Sequence, residues 1–238
     1  MNIKKVWREN RALFIMIAVT AVAITASAII FKQPPFRVLP LYNSLIIMAM
    51  NARANRFALI YGGVNSILYA LVDVGYGLYG SAAYAMLVSF PIQIVTFILY
   101  NRRKYGNSTL YRKMPWLWRG VTAVGFGVCW VGVILVLRAL GGSHTVLDTT
   151  VTLFGFLITG LTMFAFIEAP ILNIVSSLVS IALNVSIVVG GAYDRTSYLI
   201  YSVYCIICVV LGAIRTVKLY KEQQLKKREK EKNEGCLA

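Results

Sequence analysis

Polar side chains recur at helical spacing within apolar sequence, and their types suit holding a small molecule rather than breaking bonds. Asn173, Ser177, Ser180 and Asn184 step by four, three and four, which aligns them on one helical face. Ser89, Gln93, Thr96 and Tyr100 do the same, as do Ser197, Tyr201, Tyr204 and Cys208, while Asn65, Tyr69, Asp73 and Tyr76 step by four, four and three along one face. A thinner line runs through Thr152, Thr159 and Thr162. Amides and hydroxyls donate and accept hydrogen bonds, and phenol rings stack on flat solutes. Ser and Thr alone can serve as glue between membrane helices, at about 0.6 kcal/mol a contact. The large amides of Asn65, Gln93, Asn173 and Asn184, with Tyr69, Tyr201 and Tyr204, exceed what adhesion needs and describe a wet solute pathway.

Other chemistries lack their residues. The sequence carries no Walker loop, paired carboxylate site, His-Glu-x-x-His or nucleophile elbow. One histidine, His144, cannot build a metal cluster, and Cys129, Cys205, Cys208 and Cys236 do not make a disulfide framework. Asp73, Asp148 and Glu168 fall near span ends, where a helix cap or a headgroup contact is the simplest role. No enzyme, cofactor or metal is expected, and with no energy-coupling group in the hydrocarbon, passive movement follows.

The elements that must position these side chains are membrane helices. The 238 residues are 58% hydrophobic and 14% charged, against roughly 45–50% and 25% for a soluble domain, and the mean hydropathy is +0.70. A bilayer core about 30 Å thick needs roughly 20 apolar residues of helix. Eight runs qualify: residues 13–31, 38–51, 57–74, 82–100, 121–137, 147–167, 171–190 and 197–214, the second being short and preceded by Pro34 and Pro35. With the N-terminus inside, 20 of the 24 basic residues fall on the inner side and only Lys32, Arg37, Arg138 and Arg195 outside. The net charge of +15 is thereby a matter of topology, and no nucleic acid is required. The first run also reads as a signal peptide, with Ala26-Ser27-Ala28 as its cleavage site. The Glu/Lys alternation of 221–232 reads as a solvated helix facing anionic lipid.

An offset of 114 aligns Ile60 with Ile174, Ser66 with Ser180, Ile67 with Ile181, Gly77 with Gly191, Tyr79 with Tyr193 and Tyr84 with Tyr198. The fold class expected is therefore an all-α integral membrane protein. Its helices are arranged 3+1+3 as a parallel internal repeat, with one extra N-terminal helix and the solute path between the halves. The corresponding divisions are 1–37 (N-terminus and extra helix), 38–101 (first repeat), 102–140 (basic loop and linker helix), 141–220 (second repeat) and 221–238 (charged tail). Pro91 is expected to bend the fourth run two residues before Gln93, and Pro170 to open the seventh. Trp116 and Trp118 belong to the interfacial belt, and Trp130 lies deep in a span.

The chain resembles the PnuC vitamin transporters between about Leu45 and Lys218. The resemblance is carried by Asn51-Ala52-Arg53-Ala54-Asn55-Arg56, Ser66-Ile67-Leu68-Tyr69-Ala70 and Gly77-Leu78-Tyr79. In the second half it is carried by Leu147-Asp148-Thr149-Thr150, Tyr198-Leu199-Ile200-Tyr201-Ser202-Val203-Tyr204 and Leu211-Gly212. It implies a SWEET-like fold, a homotrimer in the bacterial inner membrane, and facilitated diffusion of nicotinamide riboside with trapping by a separate cytoplasmic kinase. The chain departs from riboside carriers in lacking their tryptophan cage: the segments read Thr96-Phe97-Ile98-Leu99-Tyr100-Asn101, Pro170-Ile171-Leu172-Asn173 and Ala213-Ile214-Arg215. Tyrosines would take over the stacking. The expected substrate-binding residues are Asn65, Tyr69, Gln93, Thr96, Thr159, Asn184, Tyr201 and Tyr204. Thiamine or riboflavin is the alternative solute. The alternative roles are a substrate-binding subunit of an energy-coupling-factor importer, a membrane enzyme, or an assembly factor.

Overall fold

The computed structural model describes residues 3–75, 85–139, 145–191 and 193–235. Tyr76, Gly77, Tyr79, Tyr84, His144 and Cys236 lie outside the described residues, as do the side chains of Asp73 and Asp148. The helices are α1 (Ile3–Ile30), α2 (Pro35–Asn51), α3 (Ala58–Gly75), α4 (Phe90–Arg102), α5 (Trp116–Ala139), α6 (Thr145–Met163), α7 (Glu168–Val189) and α8 (Thr196–Gly235).

Pro35 and Pro170 act at helix starts, while Pro40 lies inside α2. Pro34 is extended (φ −63°, ψ 135°) and Pro35 opens α2, so the second helix begins three residues before the expected 38. A π-helical turn, Ala85–Ser89, runs without a break into α4, so Pro91 lies inside the continuous helical stretch Ala85–Arg102, where the turn meets α4. Pro170 lies in the first turn of α7, as expected. Among the described residues five stretches are long and apolar enough to cross a bilayer: Arg11–Ile30, Ala85–Arg102, Trp116–Val136, Glu168–Val189 and Thr196–Glu229. Ala58–Leu71 and Thr149–Met163 are shorter apolar stretches. The charged tail continues α8 without a break and carries an (i, i+4) pair, Lys227 to Glu231 at 3.7 Å.

Six helices close into a ring in the order α2, α3, α4, α6, α7, α8, with α8 packed back against α2. Outside it, α1 lies against both α2 and α8, and α5 lies against α6. Lipid supplies no hydrophobic drive for helices to associate, so close packing and polar bonds must do so. Where α1, α2 and α8 meet, Ile24, Leu41, Leu45 and Cys208 are fully buried. The Tyr204 hydroxyl donates to Leu45 O at 2.8 Å, and the buried Ser197 hydroxyl reaches Ser27 Oγ at 3.1 Å and Gln33 Oε1 at 3.0 Å. At Gly212 the two backbones approach so closely that a Cβ would sit 2.9 Å from Asn51 O.

The basic connection after α4 folds as a hairpin, β1 (Lys104–Tyr105) against β2 (Ser108–Thr109), turning at Gly106 with φ +56°. Gln223 on α8 grips its C-terminal end with both amide atoms: its Nε2 donates to Thr109 O and its Oε1 accepts from the Tyr111 N–H, each at 3.0 Å. The Arg56 N–H donates to Asn107 O at 3.1 Å, and Arg112 pairs with the α6–α7 turn through Ala165 O and the Ile167 N–H. Gln223→Ala leaves two backbone groups unpaired and should cost the hairpin about 1–3 kcal/mol locally. Faster hydrogen exchange at the Tyr111 amide, with the helices unaffected, is the expected reading.

Candidate functional site

Inside the ring, a cavity of about 230 Å³ lies between the C-terminal end of α2, the start of α3, the end of α4 and the facing parts of α6, α7 and α8. The turn after α2 builds one wall. Ala54 adopts φ 50°, a left-handed value uncommon outside glycine, and its N–H bonds back to Asn51 O at 2.8 Å. That turn brings Asn51, Asn55 and Arg56 to the cavity, where Arg56 is the sole charged residue among those lining it. Its Nη1 donates to Gly106 O at 3.3 Å and its guanidinium lies 5.4 Å from the Phe57 ring centre, while its buried Nε has no partner.

The opposite wall presents Thr162 of α6, Asn173 of α7 and Thr216 of α8. Tyr100 of α4 donates to Thr162 O at 2.8 Å, tying the two sides together. Tyr111, from the hairpin connection, closes the space with hydrogen bonds to Ser108 and Thr216. Burial pushes its phenol up from the ordinary value, against those two bonds, so it stays neutral near pH 7.

A second polar cluster centres on Ser44 of α2. The Asn65 Nδ2 donates to its Oγ at 2.7 Å, the Tyr69 hydroxyl lies 3.4 Å away, and Tyr201 of α8 also bonds it. Asn65 is 5% exposed and its buried Oδ1 has no partner, an unmet acceptor in a site otherwise fully used. Tyr201 neighbours Cys205, whose thiol bonds Ser177 on α7.

The eight expected residues thus divide. Asn65, Tyr69 and Tyr201 come together around Ser44. Gln93 is held within α3 and α4, its Nε2 donating to Ser66 Oγ at 2.9 Å and Ser89 Oγ at 3.1 Å, over a slot that exists because residue 62 is glycine. Asn184 is held within α7 and α8 by Ser180 O and Ser202 Oγ, both at 2.9 Å. Thr96 and Thr159 donate to carbonyls of their own helices, Ile92 and Gly155, both at 2.7 Å. Tyr204 holds the α2 backbone. None of the eight lines the inner cavity. Other members of the polar lines do: Tyr100, Thr162, Asn173 and Cys208. Sequence reasoning missed Asn51, Asn55, Arg56, Tyr111 and Thr216, although the run Asn51 to Arg56 is dense in amide and guanidine groups for so short a connection.

Glu168 does not act as a simple cap. Both carboxylate oxygens accept from the Met114 N–H at 3.2 Å, and Oε1 also pairs with Arg119 of α5. This pair closes one end of an apolar groove of about 420 Å³ between α5, α6 and α7. Trp116 and Trp118 are largely exposed nearby, as an interfacial belt requires, and the Trp130 indole donates to Thr150 Oγ1 at 2.8 Å. Among the described residues no group of His, Cys, Asp or Glu is arranged to hold a metal.

The fold has a known counterpart. A crystal structure of the vitamin B3 transporter PnuC is similar over 93% of both chains, with a TM-score of 0.71 at 18% sequence identity. No curated protein matches the sequence. The family profile described as nicotinamide mononucleotide transporter matches residues 35–216, a segment that contains the ring, the Ser44 cluster and the inner cavity. A multi-helix membrane chain with a polar interior and this match is a transporter by family, and the chain belongs to the nicotinamide mononucleotide transporter family.

Proposed function

We infer that this protein imports a small vitamin B3 compound, nicotinamide riboside first among them, by facilitated diffusion through the helix ring. One observation carries the reading: α2 and α3 on one side and α8 on the other converge at Ser44, with the acceptor Asn65 Oδ1 left open. A carboxamide N–H or a ribose hydroxyl would supply the donor it lacks, and the Tyr69 and Tyr201 rings would stack on a flat base. Gln93 and Asn184, each held by hydroxyls within its own triplet, and Thr96, Thr159 and Tyr204 complete the proposed path. The contiguity of α2, α3 and α4, and of α6, α7 and α8, around the ring supports the SWEET-like parallel repeat with α5 as linker.

An uncoupled carrier gives net uptake only if the solute is changed inside, hence the link to a cytoplasmic kinase. The charge distribution supports both termini on the cytoplasmic side, and resemblance to the family supports a homotrimer in a bacterial inner membrane. Uptake of labelled riboside into vesicles holding this protein alone, with thiamine and riboflavin as competitors, tests the reading. Asn65→Leu should lower uptake about tenfold, the worth of one buried hydrogen bond in a fully used site. Uptake that needs an ATPase partner, or full uptake by Asn65→Leu, would refute it.

A further inference from the structure

The connection between α4 and α5 touches both triplets of the ring at one end of the inner cavity. Its two ends are fixed. The Leu110 N–H donates to Arg103 O at 2.8 Å just past α4, and Met114 is buried against Leu161 and Ala169 with its N–H on Glu168. Between them the chain is held by polar contacts in three places. At the α2–α3 turn, Asn107 O accepts from the Arg56 N–H and Gly106 O from the Arg56 guanidinium. On α8, Gln223 holds Thr109 O and the Tyr111 N–H, and the Lys226 ammonium lies 5.3 Å from the Tyr105 ring centre. At the α6–α7 turn, the Arg112 N–H donates to Ala165 O at 3.1 Å and Arg112 O accepts from the Ile167 N–H at 3.0 Å. Tyr111 stands between the Gln223 and Arg112 attachments and lines the cavity, its hydroxyl reaching Ser108 Oγ at 3.1 Å and bonding Thr216 of α8.

We propose that residues 104–113 form a strap that gates the inner cavity, with Tyr111 as its plug and Gln223 as the residue that positions the plug. The attachments are hydrogen bonds and a cation–ring contact at the end of the ring where Arg56, Lys104, Arg112 and Lys113 gather. Such contacts exchange for water at a membrane surface, so the strap can open locally while the packed helices stay together. Bonded to the α2–α3 turn, to the α6–α7 turn and to α8 at once, the strap ties the triplets and keeps Tyr111 over the cavity. Released from Gln223 and Arg112, it carries Tyr111 aside and opens the cavity on the side that the basic charge supports as cytoplasmic. The inference rests on the transport reading, because it names the gate through which the solute of that reading leaves the ring.

The test has two arms on the full chain. In the first, Asn173→Cys places a thiol on the α7 wall of the cavity, away from the strap. Its labelling by a water-soluble maleimide is read on that residue's own peptide by mass spectrometry, which sets the native cysteines aside. Adding Gln223→Ala should speed this labelling about tenfold and leave hydrogen exchange in α2 and α7 unchanged. Equal labelling with and without Gln223 would overturn the proposal, as would faster exchange throughout α2 and α7, the mark of general loosening. In the second arm, Tyr105→Cys and Lys226→Cys are bridged by a short bis-methanethiosulfonate reagent, which ties the strap to α8. Riboside uptake into vesicles should stop on bridging and return on reduction, and full uptake with the bridge in place would overturn the gate while leaving the carrier standing. If wild type takes up no riboside, the carrier reading fails, and the labelling arm, which reads access to the cavity and not transport, decides by itself whether the strap shuts it.

Discussion

Glu168→Ala is expected to destabilise the detergent-purified protein by about 2–3 kcal/mol, read as a lower midpoint in chemical or thermal unfolding. Breaking a fully buried ion pair costs about 3–5 kcal/mol because one charge stays buried alone. Here the side chains are 33% and 19% exposed, which lowers the figure, while the loss of the acceptor for the Met114 N–H raises it. Glu168→Gln keeps an acceptor for Met114 and should fall between wild type and alanine. Replacing Arg119 and Glu168 together with leucine should recover part of the loss, since no unpaired charge remains. An unchanged midpoint for Glu168→Ala would mean that the α5–α7 clamp contributes nothing to stability.

Gly212→Val should cost about 1–3 kcal/mol through overpacking and reduce uptake with it. The new Cβ would meet Asn51 O at 2.9 Å and Ala52 Cα at 3.4 Å, both backbone atoms of the neighbouring segment that cannot rotate aside. Gly62→Ala is the instructive comparison, because its Cβ would come closer still, 2.0 Å from Gln93 Oε1. That oxygen is the end of a flexible side chain, which can swing away at the cost of its bonds to Ser66 and Ser89. The nearer clash is therefore the milder one, and a melting-temperature series over the two variants should show Gly212→Val lower.

The helices were legible because apolar length and terminal charge leave few alternatives in a bilayer, and α7 and α8 start within three residues of the expected 171 and 197. Spacing also put Asn65 and Tyr69 on one helical face, and it put Tyr100, Thr162 and Asn173 on polar lines, but only the fold brings Tyr201 to the first pair and the other three to the cavity. Spacing could not separate Thr96 and Thr159 from them. A threonine that returns its hydroxyl to the carbonyl four residues back has the same spacing as one that faces a solute. Pro35 and Pro170 mark helix starts beside the apolar runs they were read as bounding, and Pro91 falls inside a helical stretch, where a π-helical turn meets α4. The hairpin grip of Gln223, the Arg119–Glu168 pair and the cavity role of Arg56 depend on partners far away in sequence. Gln223 and Thr109, for instance, are 114 residues apart. No local pattern encodes such meetings.

The ring has two joins between its triplets, and they are built unequally. At α2 and α8 the chains touch backbone to backbone at Gly212, Tyr204 bonds a carbonyl across the join, and α1 lies over both helices from outside. At α4 and α6 the Tyr100 hydroxyl ties the helices through Thr162 O, and among the described residues no outer helix packs closely on both partners. The spine of the ring is thus the α2–α8 join, with the Ser44 cluster beside it, and the α4–α6 join, caught by Tyr100, is the one that fewer contacts hold shut.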